Sequence, residues 1–186
     1  MKVSHMALTA AVLVAPGVAQ AQPRSTPSID ISRIMPVLNN LTADRISACI
    51  QQMGAEGKLS FRLGDFTCVK KGSVAQNPAS SWSGYSIIVQ APLSAGAEPF
   101  MVVFDVTRHS SLTGSRRLSG SAAAEKWEVL QAVHYTVVGD GIVKPFSPAE
   151  RVALEGARKQ VALACGMPVP ASGPMPFIVK HKESAL

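Results

Sequence analysis

The sequence contains few charged residues and no long apolar run beyond its first 21 positions, and each shortage excludes a class of protein. Charged residues make up 16% of the chain and hydrophobic residues 47%, which excludes an intrinsically disordered protein and predicts a buried core. After Ala21, no apolar stretch approaches the roughly 18 residues that cross a bilayer. No transmembrane segment is therefore expected after that residue.

Motifs that would identify an enzyme, a metal site or a nucleotide site are also absent. The sequence has no Cys-x-x-Cys or His-x-x-x-His spacing, so no metal site is expected. It has no Gly-x-Ser-x-Gly turn and no glycine-rich phosphate-binding loop. Its carboxylates fall in different predicted elements, which does not favour a glycosidase. We therefore expect no cofactor, and the lack of a recognition motif argues against a nucleic acid partner.

The N-terminus has the pattern of a secretory signal peptide. Met1-Lys2 is followed by an apolar run from Met6 to Val14 and then by Ala19-Gln20-Ala21. A short basic start, an apolar segment too short to span a bilayer and small residues at the −3 and −1 positions predict cleavage near Ala21. No cysteine follows that point directly, so a lipid anchor is not expected. The pattern predicts a periplasmic or secreted protein.

The rest of the chain divides by composition into three parts. Residues 22–28 are polar and proline-rich and are expected to form a flexible leader. Residues 29–166 contain the periodic apolar patterns and predict a single α+β domain. Residues 167–186 form a proline-rich, basic C-terminal tail, in which residues 177–179 could add a short edge strand.

Three cysteines follow the signal peptide, and an odd number in an oxidising compartment predicts one disulfide and one free thiol. Cys49 belongs to an apolar helical stripe and Cys68 to an alternating strand, so both should face the core. We predict a Cys49–Cys68 disulfide, because it joins neighbouring elements and closes a loop of about 20 residues. Cys165 would then be buried and inert. Pairing of Cys165 with either of the other two remains an alternative.

The order of predicted elements is helices, then five or six strands, then a helix. Thr42 is the expected N-cap of a helix that ends near Gly54, and Ser147-Pro148-Ala149-Glu150 forms a capping box for the last helix. Residues 139–141 predict a hairpin that returns the longest strand into residues 142–143. Because βα units do not alternate, we predict an antiparallel sheet with the N-terminal and C-terminal helices packed on one face.

A basic loop over residues 108–123 is the strongest candidate for a binding site. It contains Arg108, His109, Arg116 and Arg117 among serines and glycines, and the whole chain has a formal net charge of +6. Such a loop can bind an unknown protein or an anionic envelope component. Trp82, in a predicted loop, is a second candidate contact. The competing interpretations are a solvated loop and a tryptophan packed over the sheet edge.

A second hypothesis is a small hydrolase that acts on an envelope or extracellular polymer. His109 would be the base, with Asp105 four residues earlier on the same strand face and a serine such as Ser110 or Ser115 as the nucleophile. The two hypotheses differ in their response to substitution. Replacing Arg116 and Arg117 should weaken binding, whereas replacing His109 should abolish turnover. A further histidine, His134, is interpreted as a partly buried residue of the longest strand.

Overall fold

A computed structural model describes residues 27–71, 80–113, 126–168 and 178–179 of the chain. The helices there are a 3₁₀ turn (Ile31–Ile34), α1 (Met35–Asn39), α2 (Ala43–Ala55) and α3 (Pro148–Ala164). The strands are β1 (Ser28–Ile29), β2 (Ser60–Leu63), β3 (Phe66–Lys71), β4 (Ser80–Gln90), β5 (Phe100–Thr113), β6 (Lys126–Gly139), β7 (Ile142–Val143) and β8 (Ile178–Val179). None of the helices within these ranges has the length and apolar character needed to cross a membrane.

Six of the strands form one sheet in the order β2-β3-β4-β5-β6-β8. Strands β2 to β6 pair antiparallel, which confirms the predicted α+β class and antiparallel sheet. The edge strand suggested near residue 178 is β8, which pairs parallel to β6. Strand β8 lies within residues 167–186, the predicted C-terminal tail.

The predicted hairpin between β6 and β7 is wrong. β7 pairs in parallel with β1 in a separate two-stranded sheet, with Ile29 opposite Val143. The amide of Ile142 donates a hydrogen bond to the carbonyl oxygen of Pro27 at 3.0 Å. Ile29 is almost fully buried, so this pairing also places an apolar side chain in the core. Ser28, the last residue of the predicted leader, therefore belongs to the folded unit.

One face of the large sheet is apolar because its residues alternate. Its buried positions are Phe66, Cys68, Ile87, Val89, Phe100, Val102, Phe104, Val106, Val133, Tyr135 and Val137. Helix α2 packs on β2 and β3, and α3 packs on β5 and β6. Each large apolar side chain buried there contributes about 1.5–3 kcal/mol, so this layer is the main source of stability. We call the opposite side of the sheet the open face.

The helix starts follow their local sequence. The Thr42 hydroxyl accepts a hydrogen bond from the amide of Arg45, which caps α2. At α3, the Ser147 hydroxyl accepts from the amide of Glu150 at 3.3 Å, and the Glu150 carboxylate accepts from the amide of Ser147 at 2.7 Å. This reciprocal pair is the predicted capping box, and such a cap contributes about 1 kcal/mol.

The structure confirms the predicted disulfide, but Cys165 is less buried than expected. Cys49 of α2 and Cys68 of β3 form a disulfide, and Cys165 is free. Cys165 follows the last turn of α3 and is partly rather than fully buried. Burial raises the pKa of the Cys165 thiol to about 11. Because only the thiolate is nucleophilic, Cys165 is a poor nucleophile at neutral pH.

Strands β4, β5 and β6 stay paired beyond the last buried core residue of β5. The core side of β5 is buried as far as Val106, whereas Arg108, the next residue on that side, is exposed. The pairing of β5 with β6 continues to Thr113 opposite Lys126. We call the strand positions beyond Val106 and its partners the sheet extension; it comprises residues 80–84, 107–113 and 126–132. Residues 108–113 of the predicted basic loop therefore belong to β5, and residues 114–123 lie outside the described residues.

Gly84 lies at the start of the sheet extension, where the backbones of β4 and β5 come so close that a side chain has no room. A Cβ atom at position 84 would lie 2.3 Å from the carbonyl oxygen of Val106. We expect Gly84→Ala to lower the free energy of unfolding by about 1–3 kcal/mol, measured by urea denaturation. The matched control is Gly156→Ala on α3, where the added methyl meets nothing within 4 Å. That change should be neutral or slightly stabilising, and equal losses in both variants would contradict the assignment.

The disulfide should contribute stability through the unfolded chain. Replacing Cys49 and Cys68 together by alanine removes a cross-link between residues 19 positions apart. We expect a loss of about 3 kcal/mol in the free energy of unfolding. Cys165→Ala is the control and should change stability much less. A double variant as stable as the wild type would show that the cross-link does not constrain the unfolded chain.

Candidate functional site

The candidate binding residues are divided between the two sides of the sheet extension. Arg108 lies opposite Ser83 of β4, on the side continuous with the core, and it is exposed. His109 follows it and therefore lies on the open face, where Trp82 is its partner in β4. Trp82 thus belongs to a strand and not to the predicted loop. Arg116 and Arg117 lie outside the described residues.

The acid–base pair of the hydrolase hypothesis does not come together. Asp105 and His109 share the open face, but four residues along a strand place their Cα atoms roughly 13 Å apart. Ser110 occupies the other side of β5 from His109. Ser115 lies outside the described residues. The geometry therefore gives His109 no contact with the carboxylate or with the described serine of that hypothesis.

Asp105 has two other partners on the open face. The Ser86 hydroxyl of β4 donates a hydrogen bond to Asp105 Oδ1 at 2.7 Å. The ammonium group of Lys71, at the end of β3, forms an ion pair with the same oxygen. The strand register places His134 of β6 directly opposite Asp105. We call Lys71, Ser86, Asp105 and His134 the open-face cluster.

Burial differs within the open-face cluster. Ser86 is buried, with 5% of its surface exposed, while the Lys71 and Asp105 side chains are about one-third exposed (31% and 32%). His134 is exposed, so the expectation of a partly buried histidine is wrong. The Asp105 carboxylate is oriented by a buried hydroxyl and neutralised by an ammonium group. These two partners give Asp105 the charge-assisted contacts that are typical of a structural carboxylate.

The sequence analysis did not find the open-face cluster, because its members come from four different strands. The available signal was Asp105 itself, an acid within the otherwise apolar run from Phe100 to Val106. A carboxylate in such a run requires partners, and alternation places it away from the core. Which residues provide those partners depends on the strand register, which the sequence analysis did not assign.

A shallow cleft lies at the other end of the sheet from the extension. Its volume is about 270 Å³, and it lies where the β4–β5 connection meets the end of β6. The lining residues are Gln90, Ala91, Leu93, Pro99, Phe100, Met101, Val138, Gly139 and Asp140. The lining is mainly apolar, and Asp140 is its only charged residue. In the ranges that the structure describes, no three histidine, cysteine or acidic residues are grouped as metal ligands would be.

Comparison with known proteins does not assign the chain to a class. No protein-family model matches it, and neither a curated protein nor a solved structure is detectably similar to it. Function must therefore be argued from the geometry and charge of the chain itself.

The Asp105 interactions can be separated by substitution. Asp105→Ala leaves the buried Ser86 hydroxyl without its acceptor, so we expect a loss of about 1–3 kcal/mol in the free energy of unfolding. Lys71→Met removes only a partly exposed ion pair and should cost less than about 1 kcal/mol. Urea denaturation measures both changes. A larger loss for Lys71→Met than for Asp105→Ala would contradict the role assigned to the hydroxyl.

Proposed function

We propose that the chain is a small exported, non-catalytic protein that binds an anionic partner through its basic region, residues 108–123. Export is supported by the signal-peptide pattern of residues 1–21, which lie outside the described residues. The Cys49–Cys68 disulfide is consistent with an oxidising compartment such as the periplasm or the extracellular space.

The observation that carries the binding proposal is the exposed Arg108 on β5, which continues beyond its last buried core residue, Val106. Residues 114–125 join β5 to β6 beyond the pair formed by Thr113 and Lys126. Arg116 and Arg117 lie within this connection, so one stretch of the sequence, residues 108–123, carries three arginines. The full chain has a formal net charge of +6, of which cleavage near Ala21 removes only Lys2, and the remaining +5 adds a long-range attraction for anions. The partner expected from this chemistry presents several negative charges, as an anionic lipid surface or an acidic polysaccharide does.

Binding can be measured with two probes that share this chemistry. The mature chain, starting at Gln22, is sedimented with vesicles of phosphatidylglycerol and, in a second arm, titrated with polygalacturonate. We expect binding to at least one probe and no binding to phosphatidylcholine vesicles. Raising the salt concentration from low to physiological should weaken binding, because exposed charges are screened. The lipid and polysaccharide arms distinguish the two sources of negative charge.

Substitutions then locate the binding surface. Arg116→Ala with Arg117→Ala should weaken binding about tenfold at low salt, and adding Arg108→Ala should weaken it further. The matched control is Lys144→Ala with Lys159→Ala, which removes the same charge from two exposed positions elsewhere. His109→Ala is expected to have little effect, whereas it would abolish turnover if the protein were a hydrolase with His109 as its base. Equal weakening in the control pair would refute the proposed surface.

A further inference from the structure

Arg158 of α3 is a buried charge whose pairing is incomplete. Only 1% of the residue is exposed, and among the described residues neither its Nε nor its Nη2 atom has a hydrogen-bond partner. The closest carboxylate is that of Glu155, one turn earlier on the same helix. Its Oε2 atom lies 3.4 Å from Nε, which is a charge contact without a hydrogen bond.

The two unpaired atoms form one edge of the guanidinium plane. Nε–H and Nη2–H point in the same direction, and this spacing matches the two oxygens of a carboxylate or phosphate. Buried donors in folded proteins are nearly always paired, because an unpaired one costs its full desolvation energy. An unpaired bidentate edge in the core therefore indicates that a partner is missing from this position.

Charged residues of α3, Arg158 among them, act on Tyr135 of the core face. The pKa of Tyr135 is raised first by burial and then by the negative charge of Glu155. The positive charges of Arg158 and of the exposed Arg151 act in the opposite direction on the same hydroxyl. Glu155 is thus the negative charge that acts on both Arg158 and Tyr135.

Glu155 also provides a route to the solvent. Its side chain is 32% exposed, whereas that of Arg158 is 1% exposed. Rotation of this glutamate away from Nε would open the guanidinium edge towards the surface of α3. The alternative is that the glutamate rotates inward and fills the edge with its own carboxylate. The two arrangements predict different effects of Glu155→Gln on the affinity for an anion.

We infer that the Nε–Nη2 edge of Arg158 binds a small oxyanion, of the phosphate or carboxylate type, and that Glu155 competes with this anion. The site lies beneath α3 and is independent of the proposed binding region at residues 108–123. It offers one bidentate contact in the core, where low polarity strengthens a charge-assisted hydrogen bond. A single oxyanion fits this arrangement, while a polymer of negative charges fits the several arginines of residues 108–123.

The first experiment follows thermal unfolding of the mature chain in phosphate. Sodium phosphate is increased while sodium chloride keeps the ionic strength constant, and a second series uses sodium acetate to separate the two classes of oxyanion. A ligand that binds the folded state raises the unfolding temperature with its concentration. We expect such a rise for the wild type in at least one series. The same rise in Lys159→Met, which removes an exposed charge from α3, provides the control.

Two substitutions should change this response in opposite directions. Arg158→Met should weaken the apparent affinity for the anion about tenfold or more, because it removes both donors. Glu155→Gln should strengthen the affinity, because it removes the competing charge but keeps the shape of the side chain. If Glu155 fills the edge itself, the wild type shows no anion-dependent rise, and that result overturns the inference. An equal rise in the wild type and Arg158→Met overturns it as well.

A direct measurement covers the case in which Arg158→Met does not fold. The arginine Nε–Hε signal that disappears in Arg158→Lys identifies Arg158 in the NMR spectrum. This signal should shift on addition of phosphate or acetate, with a concentration dependence that matches the thermal data. A signal that does not move with either anion would contradict the site.

Discussion

The whole structure depends on the alternation of apolar residues along β5, the strand between β4 and β6. Phe100, Val102, Phe104 and Val106 are buried against the helices, and each intervening residue lies on the open face. Because successive side chains point to opposite faces, this one strand determines which residues of β4 and β6 face the core and which do not. The open-face cluster and the sheet extension are both consequences of this register. After Val106 the buried apolar residues on this side of β5 are followed by the exposed Arg108.

Features that depend on neighbouring residues could be predicted from the sequence, and features that depend on distant pairing could not. The capping box at Ser147 and the N-cap at Thr42 are local hydrogen-bond patterns, so the residue types alone predict them. The Cys49–Cys68 disulfide followed from two short periodic segments that are close in the chain. The pairing of β7 with β1 joins segments more than 100 residues apart, and nothing in the turn at residues 139–141 indicates it.

This dependence on distant pairing also explains why two features of the candidate sites could not be predicted from the sequence. A serine- and arginine-rich segment is typical of a loop, yet residues 108–113 form a strand because β4 and β6 provide hydrogen-bonding partners on both sides. Such tertiary pairing overrides local preference. Arg158 was not noticed because an arginine in a helix is usually exposed, and only the packing of α3 shows that it is buried. The two proposed anion sites thus differ in kind: one rests on exposed charge that the sequence shows, the other on a desolvated charge that only the fold shows.

The short strand β8 has a consequence for how the protein can be handled. Its two residues cover part of the outer edge of β6, whose backbone amide and carbonyl groups would otherwise point into solvent. A recombinant fragment cut after the last helix would therefore keep the hydrophobic layer but present an unpaired strand edge to other molecules. Edges of that kind template intermolecular β-pairing, so such a fragment should be prone to self-association even if its interior is unchanged. Strand β8 thus protects part of the β6 edge from pairing with other molecules.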